Sequence, residues 1–171
     1  MDAAKIVSKI SKEHGIIKNV YFLACGGSLV DLYPGYYFVR AESAVMDAQW
    51  IPAREFALTP PKKLGKDSLL IICSHSGKTK ECLEAAKVGI NAGAAVVTMT
   101  HAPGSPCDCE EWISVVYDWA PGVKEAQKPQ GIVLGILNEL MKAQEPGYTL
   151  YSSIKAVSYT HLRAHETCAD L

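Results

Sequence analysis

Two apolar runs, each broken abruptly by glycine and hydroxyl residues, constrain this chain more than any other feature. Leu69-Leu70-Ile71-Ile72-Cys73 gives way to Ser74-His75-Ser76-Gly77-Lys78-Thr79, and Val20-Tyr21-Phe22-Leu23-Ala24 gives way to Cys25-Gly26-Gly27-Ser28. Apolar runs without polar alternation suit strands covered on both faces, the condition of a parallel sheet between layers of helix. A glycine where such a strand turns into a helix lets the backbone approach a ligand. The helix start adds unpaired N–H groups and the positive end of its dipole. Ser74, Ser76 and Thr79 contribute hydroxyls at one point, so the 74–79 loop reads as a phosphate cradle. An ordinary strand-turn-helix with a Ser/Thr cap is the plainer alternative.

The rest of the chain supplies what such a sheet needs. A helix is expected over 2–14, with Ile6, Val7 and Ile10 on one face and Gly15 as its stop. Strands are expected at 19–24, 46–51, 67–73, 94–100 and 113–118. Between them, Ser28 reads as the cap of a helix over 29–41 in which Pro34 kinks the chain or starts a fresh helix, and 53–56 as a helical turn. Pro60-Pro61 forces an extended connection. Residues 78–92 form the clearest helix, with Cys82, Ala85, Ala86 and Ile90 along one side. Ser105-Pro106 reads as the start of a short helix through Glu111, because Ser at the cap with Pro next favours helix initiation. The aromatic group Tyr33, Tyr36, Tyr37 and Phe38 reads as packing, and 131–143 as a strongly apolar helix that meets another chain or domain. This order predicts an α/β protein with a doubly wound parallel sheet in a three-layer αβα arrangement, flavodoxin-like or Rossmann-like. Ligands sit at the carboxyl ends of the strands of such sheets.

Composition excludes several function classes. With 17 basic against 18 acidic residues there is no electrostatic footprint for nucleic acid, and no apolar run reaches membrane-spanning length. Cys25 and Cys73 end apolar runs where a reduced thiol serves as a small hydrophobe, which points to the cytoplasm. Cys107-Asp108-Cys109 lacks the spacing and the further ligands of a zinc site, so no metal and no cofactor is implied. Gly77-Lys78-Thr79 ends like a nucleotide-binding P-loop, but the first glycine that loop requires would be at 72, which is Ile. Nor does a dinucleotide fingerprint follow the first strand, where only Gly26-Gly27 stands. What remains is a single phosphoryl group at 74–79 and a polar ligand body near 26–28, the outline of a sugar phosphate.

These residues carry a resemblance. Leu23 to Ser28, Cys73 to Glu81, the Ala92-Gly93-Ala94 turn and Ser105-Pro106 resemble the sugar isomerase (SIS) domain. Residues 16–120 resemble the first half of the fructosamine deglycases of the fructoselysine 6-phosphate type, through Tyr33-Pro34, Glu55-Phe56 and Tyr117-Asp118-Trp119. The isomerase half of glutamine:fructose-6-phosphate aminotransferase is a more distant likeness. The resemblance implies that Ser74, Ser76 and Thr79, with the amides of His75, Gly77 and Lys78, hold the phosphate. Gly26, Gly27 and Ser28 face the sugar, and Glu125 is a further candidate. It implies that His75 points away from the phosphate, and that Lys78 and Lys80 add positive potential or are simply exposed. The implied parent hydrolyses a phosphorylated Amadori compound to glucose 6-phosphate and a free amine, as a homodimer. Its acid and base residues belong to a second SIS domain, so no catalytic residue is assigned here. A phosphosugar isomerase or a non-catalytic sugar-phosphate sensor are the alternatives. The expected organisation is an N-terminal helix at 1–15, the SIS domain at 16–145, the start of a linker at 146–156 and a non-native tail at 157–171.

Overall fold

The computed structural model describes residues 2–149. The expectations for 157–171 and for most of 146–156 therefore fall outside the described residues. The elements run α1 (Ala3–His14), β1 (Asn19–Ala24), α2 (Gly27–Asp31), α3 (Tyr33–Glu42), β2 (Asp47–Pro52), α4 (Ala53–Leu58), β3 (Ser68–Cys73), α5 (Lys80–Asn91), β4 (Ala95–Thr100), β5 (Ile113–Val116) and α6 (Pro129–Gln144). All strand pairs are parallel, in the order β2-β1-β3-β4-β5. β1, β3 and β4 are buried along their whole length, which is why their sequences lack alternation, whereas edge strand β2 is not.

Side chains alternate across the sheet and build a core on each face. Val20, Phe22, Ile71, Val97 and Met99 pack under α1, α3 and α6 with Ile6, Ile10, Val39, Val133 and Leu137. Tyr21, Leu23, Leu70, Ile72 and Val96 pack under α4 and α5 with Phe56, Cys82, Ala85 and Ala86. Helices on both faces of a parallel sheet make the doubly wound, three-layer arrangement expected from the sequence. Close approach is built in: a Cβ on Gly35 would overlap Val133 Cγ1 and lie 2.9 Å from Phe22 Cε1, so α3 can sit against α6 only with glycine there. Among the described residues no helix is long and apolar enough to cross a membrane.

Several local expectations need correction. Residues 105–111 form successive turns and no helix. Ser105 is buried against Gly77, and its carbonyl accepts the Asp108 N–H at 2.8 Å, closing a turn in which Pro106 suits the second position just as well as it would suit a helix. Gly26 caps α2, with φ of 59°, and Ser28 lies inside that helix. Pro34 does start a fresh helix, α3. Of the four aromatics there, Phe38 is buried, Tyr36 meets Phe22 edge-on, and Tyr33, though half-exposed, packs against Tyr36 and Trp50, whereas Tyr37 is exposed. On α5 the buried position is Gly89, whose missing side chain lets Leu70 approach, while Ile90 is exposed. The apolar breadth of α6 is spent largely inside the domain, on Val133, Ile136, Leu137, Leu140 and Met141. Ile132 and Leu134 line an apolar groove of about 700 Å³ between α1, α3 and α6.

Candidate functional site

Strand order reverses between β1 and β3: the chain leaves β1 toward β2 on one side and returns to β3 on the other. In open α/β sheets the crevice outside the carboxyl ends of such a strand pair is where ligands bind. β1 and β3 end in register, Ala24 opposite Cys73, so the 25–28 and 74–79 loops leave the sheet side by side.

The 74–79 loop is held from within and from beneath. Ser74 is buried, its hydroxyl 2.8 Å from Thr79 Oγ1, and its N–H donates to the Met99 carbonyl at 2.9 Å. Gly77 N–H closes a turn onto the Ser74 carbonyl at 2.9 Å, and Lys78 N–H donates to Ser76 Oγ at 3.3 Å, so these two amides are engaged inside the loop. Gly77 adopts φ of 64°, and a Cβ there would overlap Ser105 Oγ and stand 2.7 Å from Thr100 Oγ1. The 101–112 segment thus presses on the loop, and Cys107 N–H donating to the Gly77 carbonyl at 3.0 Å fixes it in place. Cys107 is in turn anchored through its carbonyl, which accepts from Thr98 Oγ1 at 2.6 Å and Trp112 Nε1 at 2.9 Å. Thr79 is the N-cap of α5, so the first turn of that helix opens beside Ser74, Ser76 and Thr79. A braced, glycine-turned loop with three hydroxyls at a helix start offers a compact set of donors suited to an anion.

A second group of side chains meets the same loop. His75 is exposed and stacks on His101, ring centroids 5.0 Å apart at 17°. Its Nδ1 lies 2.9 Å from the buried Tyr117 hydroxyl, and Trp119 sits edge-on at 5.8 Å. His101 Nδ1 donates to the Tyr117 carbonyl at 3.1 Å. The Cys73 thiol lies 4.0 Å from the Tyr117 hydroxyl. Burial pushes the Tyr117 phenol up and the Cys73 thiol up to about 12, so both stay protonated at neutral pH. Asp31 at the end of α2 accepts from Gln130 Nε2 at 2.7 Å. Burial pushes its carboxyl up, while the nearby His75 pulls it down.

Of the residues expected at a site, Gly26, Gly27, Ser28 and Ser74 to Thr79 come together at the switch point. Glu125 does not join them: it begins a 3-10 turn (Glu125–Gln127), pairs with Lys128 and lines the groove between α1, α3 and α6. Lys78 is exposed, and Lys80 pairs with Glu84 at 3.6 Å. Asp31, His101, Tyr117 and Trp119 escape sequence reasoning because 26 to 44 residues separate them from His75, counting from their positions in the chain. The one available signal was that Tyr117 and Trp119 follow a strand whose carboxyl end faces the same crevice.

No protein-family model matches the chain. Among curated proteins it is 36% identical over 121 residues to fructosamine deglycase FrlB of Bacillus subtilis (strain 168), covering 71% of this chain and 37% of that protein. It is 32% identical over 145 residues to the isomerizing glutamine–fructose-6-phosphate aminotransferase of Clostridium tetani, covering 81% of this chain and 23% of that protein. Among solved structures, a candidate phosphosugar isomerase from Salmonella typhimurium LT2 superposes with a TM-score of 0.81 at 35% identity, over 88% of this chain and 45% of that one. The chain thus has the fold of a SIS phosphosugar isomerase domain, as its motifs implied, and spans less than half the length of these relatives.

Proposed function

We propose that this SIS phosphosugar isomerase domain binds a sugar phosphate in the crevice between the 25–28 and 74–79 loops. The phosphate sits on Ser74, Ser76, Thr79 and the open first turn of α5, with the amide of His75 added and those of Gly77 and Lys78 turned to shaping the loop. Gly26, Gly27 and Ser28 face the sugar. The observation that carries this reading is the bracing of Gly77 by Ser105 and Cys107, which holds a loop of three hydroxyls rigidly at a helix start.

The finer reading is that the domain is the N-terminal half of a deglycase that releases glucose 6-phosphate and a free amine from a phosphorylated Amadori compound. It draws support from the 36% identity to a fructosamine deglycase. Loss of the amine then requires acid and base groups of a second SIS domain, in a parent that acts as a homodimer. The organisation proposed for this chain keeps a helix at 1–15, the SIS domain at 16–145 and a linker from 146.

Titration calorimetry with glucose 6-phosphate tests the site. Ser76 is exposed and its hydroxyl meets only the Lys78 N–H, so Ser76→Ala leaves the fold alone. It is expected to weaken binding ~10- to 100-fold, the worth of a hydrogen bond to a charged group. Unchanged affinity in Ser76→Ala rejects the cradle. A coupled assay of glucose 6-phosphate release from fructoselysine 6-phosphate separates binding from deglycation, and turnover by this chain alone would overturn the need for a second domain.

A further inference from the structure

Beyond α6 the chain passes through a turn that is fixed in place and reverses its direction. Tyr148 N–H donates to the Glu145 carbonyl at 3.1 Å, with Pro146 second and Gly147, at φ of 87°, third, the residues that a type II turn favours. The Glu145 carboxylate accepts from Ser43 Oγ and from the Ala44 N–H, which anchors the turn to the end of α3. It lies at the amino edge of the sheet, where Gln144 pairs with Ile17. Tyr148 then packs edge-on against Phe38, ring centroids 6.5 Å apart at 84°. Phe38 lines the groove between α1, α3 and α6, which runs from Glu42 at the amino edge to Pro34 and Glu125 at the carboxyl edge.

The groove and the next stretch of sequence match in chemistry. Among the described residues the groove is apolar apart from Asp2, Glu42, Glu125 and Asn138, and no lysine or arginine lines it. Asn138 is 4% exposed, yet its Oδ1 has no hydrogen-bond partner among the described residues, and neither has the buried Tyr148 hydroxyl. Such a groove takes apolar side chains, hydrogen-bond donors and a cation. Leu150-Tyr151-Ser152-Ser153-Ile154-Lys155-Ala156 carries all three: Leu150, Tyr151 and Ile154 at the spacing of one helical face, two serine hydroxyls, and Lys155 as its single charge.

We propose that residues 150–156 fold back into this groove as a strap, antiparallel to α6. The length fits, since seven residues at helical rise span about 10 Å and α3 from Pro34 to Glu42 covers about 12 Å. Leu150, Tyr151 and Ile154 cover Ile132 and Leu134, a serine hydroxyl donates to Asn138 Oδ1, and Lys155 comes to the acidic end formed by Asp2 and Glu125. The strap thereby carries the chain from the amino edge of the sheet to the carboxyl edge, where the 25–28 and 74–79 loops open. A second domain that follows it is delivered to the ligand crevice. That consequence rests on the sugar-phosphate reading above, whereas docking of the strap does not.

Methyl-labelled NMR of the full chain tests the strap. Nuclear Overhauser contacts are expected from the Leu150 and Ile154 methyls to those of Ile132 and Leu134. Ile154→Asp alters none of the residues that build the two cores, and it should abolish these contacts and shift the Ile132 and Leu134 methyl signals. Absence of the contacts in the native chain, or Ile132 and Leu134 signals indifferent to Ile154→Asp, overturns the proposal. A sample mixed from differently labelled chains identifies a second copy as the occupant, and contacts found only between chains overturn the strap. Calorimetry with glucose 6-phosphate keeps the two readings apart. Strap contacts without sugar-phosphate binding overturn the ligand site alone, and binding without strap contacts overturns the strap alone.

Discussion

Replacing Gly77 by alanine should damage stability and ligand binding together, and the structure sets the size of the effect. Two costs arise. Gly77 has φ of 64°, where an L side chain costs about 1–2 kcal/mol. The new methyl would also overlap Ser105 Oγ and lie 2.5 Å from Ser105 Cβ and 2.7 Å from Thr100 Oγ1. Ser105 has little freedom to retreat, because Asp108 N–H holds its carbonyl at 2.8 Å and Cys107 N–H holds the Gly77 carbonyl at 3.0 Å. Overpacking against a fixed neighbour costs about 1–3 kcal/mol. Together Gly77→Ala should lose about 2–5 kcal/mol of stability by these two contributions, read as a drop in the urea midpoint. A double-mutant cycle separates the contributions. Ser105→Gly removes the overlapping atoms, and with Gly77→Ala it should recover the packing part and leave only the backbone cost. Titration with glucose 6-phosphate should show the single variant binding at least tenfold more weakly, with partial recovery in the double variant. A Gly77→Ala protein within about 0.5 kcal/mol of the parent, the range of a neutral surface change, would refute the reasoning. So would additive effects of the two substitutions, since they would deny that Ser105 presses on the loop.

Other consequences follow from buried groups. The Cys73 thiol is held up to about 12 against an ordinary 9.0, so the unfolded chain releases this proton first. The contribution is fully present below pH 9 and is lost as pH rises from 9 toward 12, at about 1.4 kcal/mol per pH unit. Urea midpoints at pH 8 and pH 10.5 should therefore differ, with a shallower pH slope in Cys73→Ala; equal slopes in the two proteins reject the attribution. Glu145 is buried just after α6, where it accepts from Ser43 Oγ and from the Ala44 N–H at 2.9 Å. Glu145→Ala strands both donors and should cost about 1–3 kcal/mol by thermal denaturation, with little change in sugar-phosphate affinity.

The sheet was legible because burial on both faces leaves its mark on every residue of β1, β3 and β4. The two loops of the candidate site were legible for a related reason, since an apolar strand can hand over to glycine and hydroxyls only at its end. Ser105-Pro106 misled because one dipeptide suits both a helix start and a turn, and burial of Ser105 under Gly77 settled the matter from outside the local sequence. Ile90 misled in the same way: Gly89 lets α5 sit close to Leu70 and rotates Ile90 outward. The His75, His101 and Tyr117 cluster lay beyond any spacing rule. His75 and Tyr117 belong to the ends of different strands and meet through sheet order alone.

The junction of α6 with the start of the sheet bears on how the chain reaches this state. Gln144 behaves as a strand partner, accepting the Ile17 N–H at 3.1 Å and donating to the Ile17 carbonyl at 2.9 Å, across 127 residues of sequence. Glu145 fastens the 43–44 corner to the same point. Contacts between such distant residues carry a large loop-closure cost before they return any stability, which slows folding. During synthesis, Ile17 and the 43–44 corner wait for their partners until residues 144 and 145 have been made. Phe22, Ile71 and Val97 likewise lack part of their cover until α6 joins α1 and α3 over them. For that interval the half-finished sheet is only partly covered on that face, and α6 is the segment whose arrival completes the cover and lowers the risk of aggregation.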